Sequence, residues 1–174
     1  MTGDKRMSPL RQVSDSSLEG LRLRARIEAL LADYVQCIDA DRLEDWPTFF
    51  TEDGLYKVVT RENHERGLPV SLIYCTGRGM LADRITALRT ANIYEPHVYC
   101  HTGGGLRITA TAGGVTQTES NFTVVRTMAS GEMMVFVCGR YLDRIVERDG
   151  TLMLAERIVV LDSRRIDTLL VIPI

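Results

Sequence analysis

Residues 132–163, EMMVFVCGRYLDRIVERDGTLMLAERIVVLDS, decide the fold class. Two runs rich in Val, Ile, Leu and aromatic residues, 132–146 and 151–163, lie on either side of Asp149-Gly150, and an Asp-Gly pair in that setting marks a tight β-hairpin. A third run of the same kind covers 115–127, set off by Ser130-Gly131, and Gly113-Gly114 marks another turn. The spacing predicts a meander of four strands over about 106–163. Apolar residues occupy both parities of the run at 132–146, with Met133, Val135 and Val137 on one side and Met134, Phe136 and Cys138 on the other. A sheet with one solvated face alternates more cleanly. The second face is therefore read as a candidate subunit interface, with a closed-over sheet edge or a large curved core as competing explanations.

Upstream of the meander the period becomes helical. Ser16 followed by Glu19 has the spacing of a capping box, and Ile27, Leu30, Leu31, Tyr34, Val35 and Ile38 recur at helical intervals up to an end near Asp41. A short helix is expected over 43–50, where Pro47 is tolerated only in a first turn or at a break and Trp46, Phe49 and Phe50 supply aromatic anchors. A third covers about 79–90, with Leu81, Ile85 and Leu88 on one side. Earlier strands are expected at 54–60 and 71–75, and residues 1–14, without any period, read as a flexible N-terminal arm. The expected architecture is one α+β domain over 15–174, its N-terminal helices packed on a curved, mainly antiparallel sheet.

A chain of 174 residues can bury roughly 70% of its unfolded surface without disulfides. Its 21 basic and 23 acidic residues are interspersed, so no field is implied for steering toward nucleic acid or anionic lipid. No apolar run approaches the roughly 20 residues of a membrane helix and no apolar signal core opens the chain, so a cytoplasmic location is expected. Cys37, Cys75, Cys100 and Cys138 are widely spaced and read as reduced, mostly buried small apolar residues.

Three stretches carry a family resemblance: DWPTFFTEDGLY at 45–56, LADRITALRTANIYEPH at 81–97 and GRYLDRIVERDGTLMLAERIVVLDS at 139–163. Over roughly 25–174 the chain resembles the small (β) subunits of Rieske-type aromatic-ring-hydroxylating oxygenases. Through the second stretch and the tail DTLLVIPI at 167–174, it looks most like the branch acting on aromatic acids such as terephthalate, salicylate and anthranilate. The resemblance implies a cone-like fold similar to nuclear transport factor 2. It also implies a hetero-oligomer, commonly α3β3, containing other copies of this chain. The catalytic α subunit would carry a Rieske [2Fe-2S] cluster and a mononuclear non-haem iron, served by a reductase or ferredoxin. Fold alone does not settle function, since the same fold family contains true enzymes.

A Rieske centre takes two Cys and two His, each Cys followed two or three places on by a His in these oxygenases. Here the residues two after each Cys are Asp39, Gly77, Thr102 and Arg140, and three after are Ala40, Arg78, Gly103 and Tyr141, so the cluster is excluded from this chain. His97 and His101 could share one face of a strand or helix with Glu95 nearby, as a two-His, one-carboxylate iron site would require, with His64 as the third histidine. A structural role is the expectation for all three. An isomerase, dehydratase or cyclase would need an internal acid/base set, for which Asp33, Tyr34, Asp39, Tyr56 and His97 are the candidates. Yet Tyr34 belongs to the packing stripe, and Asp33 and Asp39 are expected to face water or cap turns. Cys100 and His101 would point to opposite faces of an extended segment. Gly103-Gly104-Gly105 lacks the Lys and Ser or Thr of a phosphate loop and reads as a bend or bulge.

Arg140, Tyr141, Asp143, Arg144 and Arg157 lie on neighbouring strands and form the expected subunit contact, against the alternative of a solvated sheet face. The expectation is a structural β subunit with no catalytic, cofactor or metal residues of its own.

Overall fold

The computed structural model describes residues 17–91, 93–164, 166 and 170–174; the expected arm at 1–14, Ser16 and residues 167–169 of the tail lie outside them. Helix α1, Leu18–Asp39, is capped one residue later than expected, by Ser17, whose hydroxyl accepts from the Gly20 amide at 3.0 Å. Its stripe buries Ile27, Tyr34, Cys37 and Ile38 fully, with Leu30, Leu31 and Val35 packed partly against the core.

The helix expected at 43–50 is a single 3-10 turn, Trp46–Phe49, because Pro47 at its start supplies no amide. Trp46 meets Tyr56 edge-on at 5.0 Å and Phe50 at 5.6 Å, which joins this turn to strand β1, Phe50–Thr60. A helical turn unforeseen in the sequence, α2 over Arg61–Glu65, follows, capped by the Thr60 hydroxyl. Strand β2, Ile73–Thr76, then runs directly into α3, Gly77–Thr90, which buries Leu81, Ile85 and Leu88.

The meander is as expected in kind, and longer. Its strands are β3 His97–Ala112, β4 Val115–Met128, β5 Met133–Arg148 and β6 Thr151–Leu161. Strand β3 starts well before the expected 106, since the three glycines sit inside it: its pairing with β4 slips between Gly104 and Arg107, where Gly105 takes φ +66°. Asp149 and Gly150 have φ of 51° and 80°, as a two-residue hairpin turn of the twist-matched type requires.

The six strands form one sheet in the order β2-β1-β6-β5-β4-β3, antiparallel except where β1 pairs with β6. Helix α1 lies across β3 and β6 and α3 across β1, so both cover one face. On β5 the residues at Val137, Tyr141, Asp143 and Ile145 point into that covered interior, and Cys138, Arg140, Leu142 and Arg144 point to the outer face. A bulge at Phe136, opposite Val124 and Val125, brings both Phe136 and Val137 against the core and leaves Met133 and Val135 exposed outside. The mixed parity of this strand thus has two causes, a bulge and a bare outer strip. Of the cysteines, Cys37 and Cys75 are buried, but Cys100 is exposed and Cys138 half-buried, which corrects the expectation that they are mostly interior; all four are free thiols.

Candidate functional site

The chemistry of the interior is built where β5 and β6 face α1. Asp143 and Arg157 are register partners, and the Arg157 Nε and Nη2 donate to the two carboxylate oxygens of Asp143 at 2.8 Å each. This pair is fully enclosed, and the guanidinium lies between the rings of Tyr34 and Tyr141, 4.0 and 4.2 Å from their centroids. Burial works to lower the Arg157 pKa, but the adjacent carboxylate overcomes it and holds the group above its ordinary value. Burial also pushes the Tyr34, Tyr56 and Tyr141 hydroxyls up, so all three stay protonated.

Two of these hydroxyls are committed to structure. Tyr34 and Tyr56 donate to the Ile174 backbone oxygen at 3.1 and 3.2 Å, and the Ile174 amide donates back to Tyr56 at 3.0 Å. The third is not: Tyr141 Oη and Arg157 Nη1 are buried without a hydrogen-bond partner. An unmet buried donor costs about 1–3 kcal/mol, so the pair marks a place where an acceptor belongs.

Both residues line a partly open cavity of about 370 Å3 between α1 and the sheet, walled by Leu31, Ala32 and Val35 of α1, Gly103 and Leu106 of β3 and Ser120 and Asn121 of β4, though their unpartnered atoms are buried beneath its wall. Arg24 and Glu28 also line it, paired at 2.9 Å and half-exposed, and Arg24 donates to the Leu106 carbonyl at 3.0 Å.

The five residues expected at a subunit contact do not share a surface. Tyr141, Asp143 and Arg157 are 4, 3 and 0% exposed and belong to the interior, whereas Arg140 and Arg144 are on the outer face, Arg140 bound to Glu119 at 3.0 Å. Strand alternation is the reason: neighbours along β5 point to opposite faces. The buried pair was not legible from the hairpin turn, since counting back from Asp149-Gly150 with no irregularity sets Asp143 opposite Glu156. One extra residue on β6, between Leu154 and Glu156, moves Arg157 into place. The available signal was an arginine at the head of the apolar run IVVL, next to Glu156.

Asp39 and His101 form a second cluster that sequence reasoning did not pair. Expected to face water or cap a turn, Asp39 instead accepts from the His101 amide at 2.8 Å and meets its ring Nδ1 at 2.6 Å. The His101 ring is 1% exposed and its Nε2 has no partner. This ring is absent from the cavity lining, so the dyad does not open onto that space.

The remaining candidates disperse. His97 and His101 do share a face of β3, separated by the Tyr99 ring, and Cys100 points the other way. Glu95 offers its backbone oxygen to His97 Nδ1 at 2.7 Å, Asp33 is exposed on α1 and His64 sits on α2. No group of three or more His, Cys, Asp or Glu that could hold a metal ion occurs among the described residues, so the donor set does not fit an iron centre of either kind.

The sequence of the SnoaL-like domain family matches residues 19–158. The chain is 43% identical over 156 residues to the small subunit of anthranilate 1,2-dioxygenase from Burkholderia cepacia, covering 90% of this chain and 97% of that one. It is 44% identical over 151 residues to subunit beta 1 of the terminal oxygenase component of terephthalate 1,2-dioxygenase from a Comamonas species, covering 86% and 97%. Among solved structures, the β subunit of an aromatic-ring-hydroxylating dioxygenase from Novosphingobium aromaticivorans superposes with a TM-score of 0.82 at 39% identity, covering 90% of this chain and 99% of that one.

Proposed function

The chain belongs to the SnoaL-like family as a small (β) subunit of the aromatic-ring-hydroxylating dioxygenase type, and from that premise we propose that its work is to hold a catalytic α subunit in an assembled oxygenase. The observation that carries this reading is the near end-to-end match, at 43 to 45% identity, with relatives that are themselves small subunits. The redox chemistry falls to the α subunit, which carries the Rieske [2Fe-2S] cluster and the mononuclear non-haem iron and receives electrons from a reductase or ferredoxin. The assembly is α3β3, with other copies of this chain among its contacts, and works in the cytoplasm. Its substrate is an aromatic acid, the class to which anthranilate and terephthalate belong.

The outer sheet face supports a docking role. Val98, Met133 and Val135 are 59, 71 and 66% exposed, and the register sets Val98 and Met133 on either side of Thr127, with Cys100 and Val135 on either side of Val125. A contiguous apolar strip of this kind fits the core of a protein contact, and Arg140 and Arg144 on the same face fit its polar rim. The acid/base alternative is weaker, because Tyr34 and Tyr56 are used up on Ile174, Asp33 is exposed, and of the Asp39–His101 dyad only Asp39 lines a cavity, one of about 210 Å3 beside His97 and Tyr99.

Co-expression with an α subunit of an aromatic-acid oxygenase, followed by size-exclusion chromatography, tests the proposal. Co-elution as one stoichiometric species, with iron only in the α chain, is the expected result. Separate elution of two folded proteins overturns it.

A further inference from the structure

Residues 170–174 lie in the interior, with Leu170, Val171, Ile172 and Ile174 at 8, 1, 7 and 0% exposure, yet they belong to no helix or strand. A buried segment without regular structure must have its peptide groups satisfied in another way, and here side chains do it. Arg84 of α3 donates to the Leu170 and Val171 carbonyls. Tyr34 of α1 and Tyr56 of β1 both donate to the one backbone oxygen of Ile174, at 3.1 and 3.2 Å, and the Ile174 amide donates to the Tyr56 hydroxyl at 3.0 Å. The segment is gripped as a ligand is gripped, by side-chain donors from three separate elements.

The chemistry of that grip defines what else it can hold. Burial keeps both phenols protonated, and two such donors converging on one oxygen suit a neutral carbonyl. Their surroundings are aromatic: Trp46 meets Tyr56 edge-on at 5.0 Å, and Phe49 and Phe50 meet Tyr34 at 5.7 and 6.3 Å. With residues 170–174 withdrawn, the two hydroxyls would lose their shared acceptor in this apolar setting, a costly state that another carbonyl of suitable size relieves. We propose that Tyr34 and Tyr56 form an interior carbonyl-binding site that residues 170–174 occupy as a strap, and that a small neutral ketone with a branched aliphatic body takes the site when the strap is displaced. Strap and ligand use the same donors, so each weakens the other. The site belongs wholly to this chain, apart from the outer face proposed to meet the α subunit, and does not depend on that contact.

Trp46 is the only tryptophan of the chain, so its fluorescence reports on this site alone. In the full chain, Ile172→Asp with Ile174→Asp puts carboxylates where the native residues are 7 and 0% exposed, which forces the strap out. Trp46 emission should move to longer wavelength in this variant as water enters. Methyl isobutyl ketone, a neutral carbonyl with a branched aliphatic body, should reverse the shift saturably and bind the parent at least about tenfold more weakly. Adding Tyr34→Phe or Tyr56→Phe to the displaced-strap variant should weaken the ketone about tenfold. Circular dichroism reports whether each variant stays folded. If the double Asp variant does not, Arg84→Met is read by the same measurements, since it removes the donor to the Leu170 and Val171 carbonyls and leaves the buried face of α3 intact. Trp46 emission unchanged in a folded variant, no saturable ketone binding, equal ketone affinity in parent and variant, or indifference to both Tyr→Phe changes would each overturn the proposal.

Discussion

The Arg157 guanidinium has five N–H donors, and Asp143 takes one on Nε and one on Nη2 in a fully enclosed contact. Removing one partner strands the other charge in the interior, so Asp143→Asn should lower unfolding stability by about 3–5 kcal/mol, read from urea denaturation. Replacing both with apolar residues of similar size, Asp143→Leu with Arg157→Met, should recover much of that loss, since a buried ion pair against a hydrophobic substitute is close to neutral; a double variant no more stable than Asp143→Asn would contradict this. The tyrosines around the pair give a pH signature. Burial raises the hydroxyl pKa of Tyr34, Tyr56 and Tyr141 in the folded state, so the unfolded chain loses these protons first. Their stabilising contribution is complete below the ordinary tyrosine value of about 10 and declines as pH rises above it. Tyrosinate absorbance from these three should therefore appear only together with alkaline unfolding, and smooth ionisation in protein still folded by circular dichroism would refute it.

Among the elements, the β5–β6 hairpin is the most tightly specified. Gly139 pairs with Leu161 where a Cβ would lie 2.0 Å from the Val160 carbonyl oxygen, a distance no side chain can occupy. Gly139→Ala must push the two strands apart, and an effect at or above the usual overpacking cost of about 1–3 kcal/mol is expected. Thermal unfolding measures it, and a variant as stable as the parent would show that β5 and β6 can part at this point without cost. The hairpin was legible because Asp149-Gly150 is local turn chemistry. The bulge on β6 was not, because it follows from how β5 and β6 curve together, and it decides which charge faces Asp143. The length of β3 was hidden for a related reason: three consecutive glycines carry no side-chain period, and only pairing with β4 makes them strand.

At the scale of the whole molecule, the sheet has one face under α1 and α3 and another that keeps Val98, Met133 and Val135 in the open. Met133→Lys with Val135→Glu should weaken co-elution with the α subunit while changing the stability of the isolated chain by no more than about 0.5 kcal/mol per site, as exposed substitutions usually do. Size-exclusion chromatography and urea unfolding together measure this, and undiminished co-elution would move the contact elsewhere on the molecule. The mixed parity of β5 hinted at this face, yet the residues picked for the contact divided between interior and exterior, since a list of strand neighbours alternates sides.

Turn pairs, helical stripes and the change of period were enough, by themselves, to determine the α+β architecture, the order of its main elements and the family resemblance, because all of these are local patterns or direct likeness. The spacing around the four cysteines likewise excluded a Rieske cluster, since obligatory ligands are a matter of residue identity. Tertiary structure alone decided that Arg157 and Asp143 are buried together, that Asp39 holds His101, and that Tyr141 Oη and Arg157 Nη1 are buried without a hydrogen-bond partner. The physical reason is that these depend on bulges, sheet curvature and the seating of α1, which join residues 62 or more positions apart in the Asp39–His101 and Tyr34–Ile174 contacts and leave no periodic trace in the chain.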